Sequence, residues 1–146
     1  MNLEGNITSV DMTFDIAYRE IVNKNNWMVP KSVLRKGLDE AKDKFDTGTF
    51  FITKDYFRAH NMKDELTINL SEVIGQLKSV DLDSLKAVVT LQPEYIGSYN
   101  PDKDAIYFCY VADIPDRKST EDPFIFDEVK VTYAVLKTKE DSAYNI

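Results

Sequence analysis

The feature that most constrains this fold is a change in apolar period along the chain. Before residue 50 apolar side chains recur at helical spacing; after residue 86 they alternate. Phe14, Ala17, Tyr18, Ile21 and Val22 stand at i, i+3, i+4, i+7 and i+8, the stripe of an amphipathic helix. Asp11 or Thr13 is placed to cap its start, and residues 23–26 to stop it. Pro30 biases Val29 towards extended backbone. A second helical stripe follows in Leu34, Leu38, Ala41 and Phe45. Gly37 inside it costs ~1 kcal/mol relative to Ala, and Gly48 fits a left-handed cap at its end.

Residues 49–53 are short, apolar and β-prone, and read as a strand. Asp55 is placed to cap a short helix through Ala59, and residues 66–70 alternate like an edge strand. Ser71 opens a helix in which Val73, Ile74 and Leu77 share a face. From Lys86 onward the pattern is that of strands: 86–92, then 95–99 after Pro93, then 105–112, then 128–138. The last has Val129, Val131, Tyr133 and Val135 on its inward face, and Lys130, Thr132 and Lys137 outward. Residues 100–104 carry turn chemistry, and two strands joined by five turn residues make a hairpin. Helices first and strands later predicts an α+β fold. The expectation is N-terminal helices packed on a mostly antiparallel β-sheet formed mainly by the C-terminal half. A chain of 146 residues without a Gly- or Ser-rich linker reads as one domain spanning 1–146. That length supports a core without metals or disulfides.

No cofactor loop, metal-ligand cluster or catalytic set stands out, so no catalytic residue, metal ligand or cofactor is assigned. Cys109, the one cysteine, lies among Ile106, Tyr107, Phe108, Tyr110 and Val111. It reads as a strand thiol acting as a small hydrophobe. His60, the one histidine, has no nucleophile or second ligand beside it and suits a helix end. Asp46-Thr47-Gly48 resembles the catalytic triplet of aspartic proteases. That chemistry needs two such carboxylates sharing a proton, and here the triplet occurs once, after the charged end of a helix. It reads as a helix terminator. Asn100, Asp102 and Asp104 match the first positions of a calcium loop, but Ala105 and Val111 occupy the places that need Gly and Glu.

Charge is distributed unevenly. Residues 1–65 hold eleven acids and ten bases, and residues 66–146 hold fourteen acids and eight bases, so the net −7 lies mostly in the second half. Eight acids fall between Asp102 and Glu128, interleaved with Tyr107, Phe108, Tyr110, Phe124 and Phe126. Carboxylates steer towards Lys and Arg, and aromatic rings supply contact area at low entropy cost. The partner-binding candidates are therefore Asp102, Asp104, Asp113, Asp116, Glu121, Asp122, Phe124 and Phe126. The negative total disfavours direct binding of nucleic acid. The N-terminus lacks a signal-peptide pattern, and no apolar run approaches the ~20 residues that span a bilayer; the expected location is the cytoplasm. The functional expectation is a non-enzymatic protein-binding module, whether inhibitor, immunity protein, adaptor or assembly protein, that engages a basic partner protein. Two alternatives follow from the same residues. One is a small-molecule binder or enzyme with a carboxylate-lined pocket, using Asp55, Asp102 or Asp104. The other is a homo-oligomeric structural subunit, signalled by an exposed apolar patch.

Overall fold

The structure is a computed structural model that describes residues 9–23, 25–54, 70–113 and 122–139. Its elements in chain order are β1 (Val10–Ile16), β2 (Trp27–Met28), α1 (Lys31–Glu40), α2 (Lys42–Thr47) and β3 (Phe51–Thr53). There follow β4 (Val73–Asp81), β5 (Lys86–Leu91), β6 (Asp104–Val111), β7 (Phe124–Ile125) and β8 (Lys130–Thr138).

Six strands close into a barrel in the order β1-β5-β4-β3-β8-β6. Four ladders are antiparallel, while β3 with β8 and β6 with β1 are parallel. This overturns the α+β expectation: there is no N-terminal helical layer on an open antiparallel sheet. Closure removes the sheet edges that a helical layer would otherwise have covered. Phe14, Ile16, Ile52, Ile74, Leu77, Val89, Leu91, Ile106, Ala134 and Leu136 are buried in the core.

Three local expectations fail for identifiable reasons. The stripe at 14–22 is not helical. Within Val10–Ile16 the polar Asp11 and Thr13 are exposed while Phe14 and Ile16 are buried, which is a strand's alternation. Ile21 and Val22, which completed the helical pattern, are each 43% exposed. Residues 73–77 also form a strand, β4, because β-branched Val73 and Ile74 extend readily and β4 pairs with β5 across the turn at 82–85. In that turn Asp81 Oδ1 accepts the N–H groups of Asp83 and Ser84, and Leu85 takes a left-handed φ of 55°. Residues 93–98 form a 3-10 helix rather than a strand, so the hairpin across 100–104 does not exist. β6 pairs instead with β8 and β1.

The helical reading of 31–47 holds, as two short helices that pack against β8 and β4. Gly48 closes α2 with φ 70°, a left-handed conformation that glycine takes without strain. Gly37 stands where α1 meets the backbone leading into β8: a Cβ there would lie 2.8 Å from the Val129 carbonyl oxygen. Close packing therefore accounts for a residue that weakens the helix.

The alternation expected for 128–138 is interrupted. A register shift between Cys109, paired with Tyr133, and Tyr110, paired with Val131, leaves Thr132 as the extra residue of a bulge; it is buried, and its hydroxyl donates to the Cys109 carbonyl at 3.1 Å. Beyond the shift Ala134 and Leu136 face the core, while Tyr133 and Val135 join Ala105 and Tyr107 in a second apolar cluster. β8 is thus buried on both faces. The expected helix after Asp55 and the expected strand at 66–70 lie outside the described residues, Leu70 excepted, which starts a 3-10 turn before β4. No helix among the described residues is long and apolar enough to cross a membrane.

Candidate functional site

Among the described residues, those proposed for partner binding do not form one face. Asp102 and Asp104 sit at the start of β6 and Asp113 beyond its end, with roughly 25 Å of strand between them at about 3.3 Å per residue. At the first end the acids organise a turn. The Asn100 N–H donates to Asp104 Oδ2 at 2.8 Å, and the Asp102 N–H donates to Asn100 Oδ1 at 2.8 Å. Asp104 is only 4% exposed, so its carboxylate is occupied within the fold, whereas Asp102 is exposed. At the other end Asp113 and Asp122 are exposed; Asp116 and Glu121 lie outside the described residues.

Of the two aromatic candidates, Phe126 belongs to the interior and Phe124 to its margin. Phe126 is 2% exposed and Phe124 is half-buried against it. Their rings meet edge to face at 4.9 Å. Trp27 and Tyr110 contact Phe126 in the same manner at 5.5 and 6.4 Å, a favoured aromatic geometry. Alternation along β7 turns Phe124 and Phe126 inward and leaves Ile125 outward, 46% exposed. Sequence reasoning missed Ile125, because the position of an isolated two-residue strand cannot be fixed from periodicity.

β7 is held by β2. Trp27 pairs with Phe124 and Met28 with Ile125 in parallel. The Phe124 N–H donates to the Asn26 carbonyl and the Phe126 N–H to the Met28 carbonyl, each at 3.0 Å. The other edge of β2 is closed by Asn23. Its Oδ1 accepts the N–H groups of Asn25 and Trp27, and its own N–H donates to the Trp27 carbonyl at 2.8 Å. Tyr18 ties the segment down by donating its hydroxyl to the Val29 carbonyl at 2.6 Å, and burial raises its pKa. Three exposed acids, Asp122, Asp127 and Glu128, flank β7; Lys130 is the base within 122–130.

A cleft of about 490 Å³ lies between the two helices and β4. Leu38, Phe45, Val80 and Leu82 line it, with Arg35, Lys42 and Lys78 at its rim. Two of these cations are paired at the surface, Arg35 with Asp83 and Lys78 with Asp11, each at 3.0 Å. Asp39 and Asp46 offset the rest. Neither Asp102 nor Asp104 lines this cleft, and Asp55 lies outside the described residues.

Cys109 packs at the margin of the second apolar cluster and is half-buried. Burial pushes its thiol up to about 12, the opposite of what a nucleophilic cysteine requires. His60 lies outside the described residues, and no grouping of three or more metal-ligating side chains occurs among the described ones.

No family profile matches the chain, and no curated protein matches it. Among solved structures it resembles the capsid assembly protease of bacteriophage T4, with a TM-score of 0.58 over 88% of each chain and 13% identity. The likeness is one of fold.

Proposed function

We propose that this protein is a non-enzymatic assembly component that docks on a basic partner protein through the acidic surface around β7. The observation that carries this reading is that exposed Asp122, Asp127 and Glu128 stand within three residues of the exposed Ile125 in the chain. An apolar contact ringed by charge of one sign is the arrangement that excludes water at its centre and steers an oppositely charged partner at its rim. Similarity of fold to a capsid assembly protease favours assembly over the inhibitor and immunity readings. The test is association kinetics, at low and high ionic strength, with a partner recovered from the native cell. A variant carrying Asp113→Lys, Asp122→Lys, Asp127→Lys and Glu128→Lys should associate at least about tenfold more slowly and lose its salt dependence. Unchanged kinetics would refute the proposal.

Peptide hydrolysis is the second reading, favoured by the same fold likeness. Cys109 is the nucleophile it would require if thiol chemistry were used, and its raised pKa opposes that role. Turnover of a denatured protein substrate that Cys109→Ala abolishes would establish it against the leading reading.

A further inference from the structure

The way β7 is hydrogen-bonded specifies how a partner can reach this surface. In a parallel ladder alternate residues bond to the same neighbour. Phe124 and Phe126 direct their N–H groups to β2, so the N–H and C=O of Ile125 point to the opposite edge. That edge has no strand beside it among the described residues, since the small sheet contains only β2 and β7. The outer edge of β2 is unavailable, because Asn23 occupies both the N–H and the C=O of Trp27. Among the described residues one open edge remains. The exposed Ile125 side chain stands on it, and Asp122, Asp127 and Glu128 bracket it.

We propose that β7 is a docking edge, to which an extended segment of a partner protein, bearing lysine or arginine at its ends, adds as a third strand beside Ile125. The inference rests on the acidic-surface reading above and adds the mode of contact. Strand addition supplies affinity through main-chain bonds and specificity through alternate side chains. The flanking carboxylates select a basic segment over a neutral or acidic one. Phe126, packed on Trp27, Tyr110 and Phe124, gives the added strand a fixed platform. The Phe rings act through the fold and do not touch the ligand.

The experiment titrates the full ¹⁵N-labelled protein with a nine-residue peptide of alternating lysine and valine, acetylated and amidated. Two control peptides replace every lysine by glutamate, or carry N-methyl groups along one backbone edge. The lysine–valine peptide should shift the Ile125 amide and slow its hydrogen exchange. The N-methylated peptide, which keeps charge and side chains, should bind at least about tenfold more weakly through its lost ladder bonds. The glutamate peptide should show no saturable shift. Ile125→Pro removes the outward N–H without disturbing the bonds to β2 and should weaken binding to a similar degree. Equal affinity of the N-methylated and unmodified peptides would overturn strand addition. If Asp122→Lys, Asp127→Lys and Glu128→Lys together still weakened binding in that case, the acidic-surface reading would survive without it. Absence of any shift at Ile125 with the unmodified peptide at millimolar concentration would also overturn strand addition, leaving the partner kinetics above to judge the acidic surface separately.

Discussion

Gly75 is the position at which one added methyl group should do most damage. It lies in β4 opposite Leu91 of β5. A Cβ on it would stand 2.2 Å from the Thr90 carbonyl oxygen and 3.1 Å from the Leu91 Cα. Ordinary contact begins at 3.4 Å, so the two backbones would have to part by about 1.2 Å. They cannot do so freely, because β4 is also bound to β3, and β5 to β1, within a closed barrel. Overpacking typically costs 1–3 kcal/mol. A clash with backbone belongs at or above the upper end, about 3 kcal/mol or more. The reduced entropy of the unfolded chain offsets about 0.4–1 kcal/mol of this. Gly75→Ala should therefore destabilise by about 2–3 kcal/mol. For a chain near this size that lowers Tm by roughly 5–10 °C, and it shifts the urea midpoint by about 1 M with little change in slope. Gly97→Ala is the control, since nothing lies within 4 Å of a Cβ built there. Thermal and urea unfolding followed by circular dichroism decide the matter. Equal stability of Gly75→Ala and wild type would refute the close approach of β4 and β5.

Phe126→Ala should cost about 3–5 kcal/mol, as for other fully buried aromatic rings. Its loss should be seen in the melting temperature before any effect on binding; an unaffected Tm would place the ring at the surface. Cys109, with its thiol raised from 9.0 to about 12 by burial, has a thiolate fraction near pH 8 reduced about a thousandfold. A disulfide reagent should label native protein far more slowly than urea-unfolded protein, and equal rates would contradict its burial. Asp15 accepts bonds from Lys139 at 2.7 Å and from Lys86, which together hold its carboxyl below the usual range. A depressed folded pKa means that its contribution is present above the unfolded value, about 3.9, and is lost as pH falls through the folded one. Asp15 is about one-third exposed, so the contribution is at most about 1 kcal/mol. Asp15→Asn should flatten the acid limb of a stability-versus-pH curve, and an unchanged limb would refute the linkage.

Much of the local structure was legible because its causes are local. Pro30, the stripe Leu34, Leu38, Ala41 and Phe45, and Gly48 specify the α1–α2 segment within a few turns of chain. Lys86–Leu91, Asp104–Val111 and Lys130–Thr138 read as strands because β-branched and aromatic residues dominate them. The segment 10–22 misled because Phe14 belongs to both a period of two and a period near 3.6. Only pairing with β5 and β6 chooses between them. The candidate surface was legible in charge but not in place. Composition gathers eight acids between Asp102 and Glu128, yet β6 carries its two ends apart, and burial removes Asp104 and Phe126 from the surface.

From its residues alone the chain determined that it folds with α1, α2 and a strand-rich C-terminal half, and that its negative charge gathers there. Helix caps, turn residues and side-chain branching act over a few bonds, so they need no knowledge of the rest. Tertiary structure alone decided that six strands close on themselves, with β1 beside β6 and β3 beside β8. Parallel contacts between strands distant in sequence leave no local pattern, because what stabilises them is burial shared across the barrel. The same holds for the surface at β7: Trp27, Tyr110 and Phe126, from three separate segments, meet in the interior, while Ile125, next to Phe126 in the chain, is left exposed.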